Sequence, residues 1–208
     1  MKVSTLANET SRQNKELARS TEPERLEMPL DQEFSPSIIR TATPADVDSL
    51  STVGSAAYAA AYGCLWNSSA ALANQLATFN ANAFAKLLKR ADTRLWVAQL
   101  DGSIVGFLTM IIGSTNPITQ EASGAEISRI YLLPGAQRLG LGRQLLNSAI
   151  AEARKEKLGH MWLEAIVSVK FARSAYLKWG FSDLGIIRFN KSVCGGLLDT
   201  MIMIKYLE

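Results

Sequence analysis

Histidine and cysteine are nearly missing: among 208 residues there is one histidine, His160, and two cysteines, Cys64 and Cys194. So few imidazole and thiolate ligands exclude multi-histidine metal sites and HExxH chemistry, and no metal is expected. Two cysteines cannot staple a secreted scaffold, so a reducing, cytoplasmic setting is the expectation. No apolar run reaches the ~18 residues that a membrane-spanning helix needs, and no membrane partner is expected. The first 36 residues hold five basic and seven acidic side chains and no apolar run after Lys2, which fits neither a secretory signal nor a transit peptide. There is no internal repeat or low-complexity tract.

What is present is ordinary globular material, 48% apolar and 20% charged, enough for one domain with a sizeable core. Residues 1–36 read as a mobile or loosely docked tail, with a short helix around Asn14–Arg19, and residues 37–208 as the folded unit. A formal charge of +3 is too small to imply nucleic acid. Between Arg129 and Lys191, however, eleven basic residues stand against four acidic ones, an excess able to attract a polyanion or simply to clothe solvated helix faces.

Ser37–Thr41 reads as a first strand, and Thr43-Pro44 as a helix start. Ser49–Ala85 carries no charge and is alanine-rich, which predicts two helices, over 44–66 and 69–91, well buried or facing a dimer partner. Tyr58, Tyr62 and Trp66 share one helix face, either core or an aromatic surface able to attract an alkylammonium. Arg94–Leu100 and Ser103–Ile112 form a predicted hairpin around Asp101-Gly102. Ala125–Leu133 is a further strand, closed by Pro134-Gly135. An amphipathic helix over Arg143–Lys157, a strand over His160–Val167 and a helix over Lys170–Trp179 ending at Gly180 follow. Leu184–Asn190 and Thr200–Tyr206 complete an α/β chain with a mixed sheet.

The informative segment is Gln137-Arg138-Leu139-Gly140-Leu141-Gly142-Arg143, between a strand and a helix. Its glycines let backbone N–H groups approach a ligand, the helix N-terminus favours an anion, and Arg138 and Arg143 add positive charge. This reads as a pyrophosphate cradle, and a side chain at Gly142 is expected to occupy the phosphate's place. A Walker loop does not fit the spacing, and Leu145 stands where the dinucleotide fingerprint needs glycine.

The remaining pattern, [QR]xxGxG, resembles the signature of the GNAT acetyltransferases. Ile130-Tyr131-Leu132-Leu133-Pro134 resembles the strand beside the pantetheine arm, and Tyr176-Leu177-Lys178-Trp179-Gly180-Phe181 the family's YxKxGF helix end. The resemblance covers roughly 37–208. It implies the GNAT (acyl-CoA N-acyltransferase) fold, a mixed, mostly antiparallel sheet flanked by helices, with acetyl-CoA as co-substrate, an amine as acceptor and a homodimer as the family habit. Glu126–Tyr131, Trp162-Leu163, Lys178–Phe181 and Asp199–Met203 echo the PaiA-like spermidine/spermine N-acetyltransferases. Val169 departs from the family's asparagine, and Glu164–Val167 from that subgroup's GVWE.

Carried over residue by residue, the resemblance gives the backbone of Ile130, Tyr131 and Leu132 to the pantetheine amides, and the N–H of Leu132 to the developing oxyanion. It gives Gln137 through Arg143 to the pyrophosphate. Tyr176 becomes the acid for the leaving sulfur, with ring packing as the alternative. Glu164 is the candidate base, its pKa expected to rise between apolar neighbours. It precedes Tyr176 by twelve residues, as the base precedes the acid in the ribosomal-protein N-acetyltransferases; a place on the wet face is the alternative, and Glu126 the competitor. Arg129 is expected to point away from Ile130, and His160 to be structural or exposed. The implied reaction is acetyl transfer to a small primary amine such as a polyamine, by direct attack in a ternary complex. Transfer to a peptide or protein amino group, or a non-catalytic acetyl-CoA sensor, are the alternatives.

Overall fold

The computed structural model describes residues 37–193 and 196–208. The expected tail, its short helix and Cys194 lie outside these residues. Strand β1 (Ile38–Thr41) leads through a 3-10 turn at Pro44–Asp46 into α1 (Val47–Tyr62), α2 (Ser69–Leu76) and α3 (Ala81–Lys89). Then come β2 (Thr93–Leu100), β3 (Ser103–Ile112), β4 (Ala125–Leu132), α4 (Leu141–Lys155), β5 (His160–Ile166), α5 (Lys170–Lys178), β6 (Ser182–Val193) and β7 (Gly196–Tyr206). The strands form one seven-stranded sheet in the order β1-β2-β3-β4-β5-β7-β6. Every neighbouring pair is antiparallel except β4–β5, whose connection runs through α4.

Alternation along the strands builds a core on each face of the sheet. Trp96, Ala98, Leu108, Met110, Leu163 and Ala165 join Leu141, Leu145, Leu146 and Ala149 of α4. Leu95, Val97 and Phe107 turn the other way and meet Leu50, Val53 and Tyr58 of α1, with Phe79 and Phe84. The β2–β3 turn has positive φ at both Asp101 (49°) and Gly102 (74°), the backbone that matches strand twist in a two-residue hairpin.

The helical region departs from expectation. The charge-free stretch does not yield two long helices, because Asn80 stops one and starts another. Its side chain accepts from the N–H of Ala83, while the turn before it drives Phe79 into the core. Helix α2 buries none of its residues, so lack of charge does not mean burial here.

An ion pair fastens β1 to the entry of α1. Asp46, 7% exposed, accepts from both terminal nitrogens of Arg40 at 2.8 Å, and from the N–H and hydroxyl of Thr43 at 2.7 and 2.9 Å. The Arg40 hydrogen bonds, opposed by burial and aided by Thr43, hold this carboxyl well below its usual range. A depressed folded-state pKa stabilises the native protein above the unfolded value and ceases to do so as pH falls. Asp46→Ala is therefore expected to cost about 2–4 kcal/mol at neutral pH by removing cap and pair together. Chemical denaturation from pH 7 downward should show the gap between wild type and variant narrowing below about pH 4.

Candidate active site

Two strands that begin as neighbours part company at the centre of the sheet. The parallel register between β4 and β5 runs through Ala125↔Met161, Glu126↔Trp162 and Ile127↔Leu163, and stops there. Beyond it, Glu164 pairs with Ile202 of β7, while Arg129 to Leu132 pair with β3. The register against β3 slips between Thr109 and Met110, leaving Ser128 as an extra residue, so the side-chain alternation of β4 changes phase. Ala125, Ile127, Ile130 and Leu132 face α4, whereas Tyr131 faces α1. The N–H of Leu133 donates to the carbonyl of Val105 on β3. By the alternation of an antiparallel ladder, the amide of Tyr131 then also turns to β3, and those of Ile130 and Leu132 turn into the fork left by β5. Of the three residues expected to offer backbone to a pantetheine chain, Tyr131 thus contributes its ring instead.

The expected cradle follows this fork. Arg138 and Gly140 both adopt positive φ (64° and 79°), and Gly140 occupies the position before α4. No side chain caps that helix and its first turn holds no acidic residue. Its leading N–H groups and the exposed cations Arg138 and Arg143 fit a pyrophosphate. Gln137 is exposed and its side chain reaches back to the carbonyl of Leu132 at 3.4 Å. Leu139 is 40% exposed beside it, while Leu141 is fully buried and anchors the helix.

Gly142 is needed for another reason than the expected one. It is buried, and a Cβ there would lie 3.0 Å from the ring of Trp179 and 3.6 Å from Leu132. Its missing side chain makes room for the end of α5, not for a phosphate.

Helix α5 ends on Gly180 (φ 86°), with the N–H of Phe181 bonded to the carbonyl of Tyr176. The Tyr176 ring lies 5.7 Å from Trp179 and 6.0 Å from Phe181. Burial, then the nearby phenol of Tyr62, pushes the Tyr176 hydroxyl well above the usual phenol range, so it keeps its proton at neutral pH. Tyr131 is pushed the same way, by burial and then by Tyr62, Tyr58 and Tyr176, with Arg129 partly opposing. Tyr58 and Tyr62 pack in the α1-side core and lie against the Tyr131 ring. Trp66 lies beyond α1 and hydrogen-bonds Tyr58.

The carboxylates separate cleanly. Glu164 opens the unzipped part of β5, on the face opposite Leu163 and Ala165, and is exposed. The burial expected to raise its pKa is absent. Glu126 stands on the zipped part and accepts from the hydroxyl of Ser114 at 2.7 Å. His160 is buried against Gly124, away from the fork. Among the described residues, no group of three His, Cys, Asp or Glu side chains could hold a metal ion, and no helix is long and apolar enough to cross a membrane.

A forked parallel strand pair beside a glycine-rich helix entry is in keeping with the acyl-CoA N-acyltransferase fold. The chain belongs to the acetyltransferase (GNAT) family, whose sequence model matches residues 59–181. It is 33% identical over 97 residues to streptothricin acetyltransferase of Streptomyces lavendulae, covering 46% of this chain and 48% of that protein. It is 35% identical over 79 residues to the ribosomal protein bS18-alanine N-acetyltransferase of Escherichia coli, covering 38% and 53%. The chain thus spans about half the length of these curated relatives. The fold is similar to that of PaiA N-acetyltransferase from Thermoplasma acidophilum in complex with coenzyme A (TM-score 0.67, 20% identity, 82% of this chain and 99% of that one). It is also similar to that of ribosomal-protein-alanine N-acetyltransferase from Brucella melitensis (0.64, 24%, 82% and 99%).

The Gly142–Trp179 contact makes a prediction separable from ligand binding. Gly142→Asp should lower the melting temperature of the ligand-free protein by several degrees, since about 1 kcal/mol corresponds to ~2–4 °C at this chain length. A ligand-free thermal scan that overlays the wild type would show that Trp179 yields freely.

Proposed function

We propose that residues 37–208 form an acetyl-CoA-dependent N-acetyltransferase that acetylates the primary amine of a small molecule by direct attack in a ternary complex. The observation that carries this reading is the parting of β4 from β5, which frees the inward amides of Ile130 and Leu132 on the strand whose Tyr131 senses the protonated phenol of Tyr176. Bound acetyl-CoA supplies an acetyl thioester.

In this reading the chain's own groups divide the work. The uncapped start of α4, with Arg138 and Arg143, binds the phosphates and sets the register of the thioester chain. Ile130 and Leu132 hold that chain along β4, and the N–H of Leu132 donates to the oxygen that gains charge as the amine attacks. Glu164 takes a proton from the incoming ammonium, directly or through water, and Tyr176 protonates the leaving sulfur.

A polyamine acceptor draws support from the similarity to the PaiA fold; Arg129, close to the tyrosine cluster, works against a polycation. Acetylation of a peptide or protein amino group is a second reading, favoured by the twelve-residue spacing of Glu164 and Tyr176 and the similarity to ribosomal-protein-alanine acetyltransferases. A pure sensor would not need the phenol of Tyr176.

Incubation with acetyl-CoA and an amine panel, following free thiol, tests the proposal; no thiol release with any amine would overturn it. Tyr176→Phe keeps the ring contacts, so coenzyme A affinity should change little while turnover falls about 10²–10⁴-fold. Turnover within about twofold of wild type would return Tyr176 to packing alone. For Glu164→Gln, the acidic limb of the kcat/KM profile should vanish or shift. Part of the lost activity should return at high pH, as the amine approaches its own pKa of about 10.4. An unchanged profile would reject Glu164 as the base.

A further inference from the structure

The side of β4 that faces α1 holds a charge that the proposed chemistry does not use. Arg129 lies two residues before Tyr131 on this face, its guanidinium carbon 4.6 Å from the ring centroid of Phe79 and 5.8 Å from that of Phe84. Both rings are buried in the α1-side core. Nη1 of Arg129 is itself buried and has no hydrogen-bond partner. The salt bridges among the described residues engage Arg40, Arg90, Arg94, Lys155, Arg173 and Arg188, and none engages Arg129. Burial pulls its pKa down, yet a guanidinium stays charged in any protein setting.

A partly buried cation that no carboxylate among the described residues pairs with is expensive to keep. Stacking on Phe79 recovers part of that cost but fills none of the planar fork of N–H donors. Position gives the charge a purpose. Arg129 is the second residue of β4 after its last pairing with β5, and Glu164 is the first of β5 after the same point. The guanidinium is also close enough to the Tyr131 phenol to affect its ionisation, and Tyr131 senses Tyr62 and Tyr176 in turn.

We propose that Arg129 anchors a carboxylate carried by the acceptor, so that the substrate is an amino acid or another small amine bearing one carboxylate. The guanidinium donates two parallel hydrogen bonds to the carboxylate, and the amine is directed toward the fork. One fixed cation in an aromatic wall balances one negative charge. A phosphate dianion would leave charge unpaired there, and a polycation would add to the repulsion. This inference rests on the acceptor site being that of the proposed acetyl transfer, and two independent measurements separate the two claims.

The first is the ratio of kcat/KM for each member of an amino-acid panel to that for its decarboxylated amine, with the amino acid amide as a neutral control. The wild type should favour the acid roughly 10- to 100-fold, the range of a hydrogen bond to a charged group. Arg129→Met, which keeps an unbranched apolar stem over Phe79, should bring the ratio to about one, mainly through KM for the acid. Arg129→Lys, with charge but no fork, should fall between. Structural damage lowers both substrates together and leaves the ratio where it was. A wild-type ratio near one, or an unchanged ratio in Arg129→Met, overturns the assignment.

The second measurement is calorimetric titration of the same amino acids into wild type and Arg129→Met with coenzyme A present, where no acetyl group can move. Arg129-dependent binding without acetylation of any amine would uphold the anchor and defeat the transferase reading. Acetylation without carboxylate preference would do the reverse. Neither binding nor acetylation would defeat both.

Discussion

The separation of β4 from β5 is the constraint on which the rest of this molecule turns. A parallel pair that continued past Ile127↔Leu163 would satisfy the inward amides of Ile130 and Leu132 and leave nothing for a ligand to join. The bulge at Ser128 belongs to the same event. It keeps the ladder to β3 intact while shifting phase, so that Arg129 and Tyr131 face α1 and Ile130 and Leu132 face α4. One extra residue thereby sorts the strand's side chains between the two cores, and in the proposed reaction gives the donor a backbone surface and the acceptor a side-chain surface.

The two sequence motifs of the site are also one packed unit. Trp179, at the end of the segment carrying Tyr176, fills the space that Gly142 leaves at the start of α4. The cradle and the proposed acid are therefore set at a fixed offset by van der Waals contact. Positioning of this kind needs little from any single hydrogen bond.

Much of this was legible in the sequence, and the reasons for the rest are specific. Asp101-Gly102 announced its hairpin because both residues tolerate positive φ, and the order of the strands followed from periodicity together with turn and cap residues. The glycine-rich helix entry with its two exposed arginines was legible because glycine and arginine report directly on backbone freedom and charge. Asn80 as a mid-helix stop was not, since local composition does not show that the chain turns there to bury Phe79 instead of continuing the helix. The bulge at Ser128 leaves no mark in local composition, so the company kept by Arg129 was hidden. Gly142 carried the right signal for the wrong neighbour: a glycine shows that something comes close, not what. Glu164 looked buried because its sequence neighbours are apolar, but alternate residues of a strand face opposite ways.

Among the described residues, three rungs of parallel ladder join β1–β4 to β5–β7 by backbone pairing along the sheet. Cohesion between the two parts falls to the apolar contacts of α4, whose Leu141, Leu145, Leu146 and Ala149 share a core with residues from both sides of the seam. That helix works as a splint across a partly sawn board. Amide exchange near the seam should thus report on how firmly α4 is seated, and anything that holds the helix at its leading end also mends the sheet.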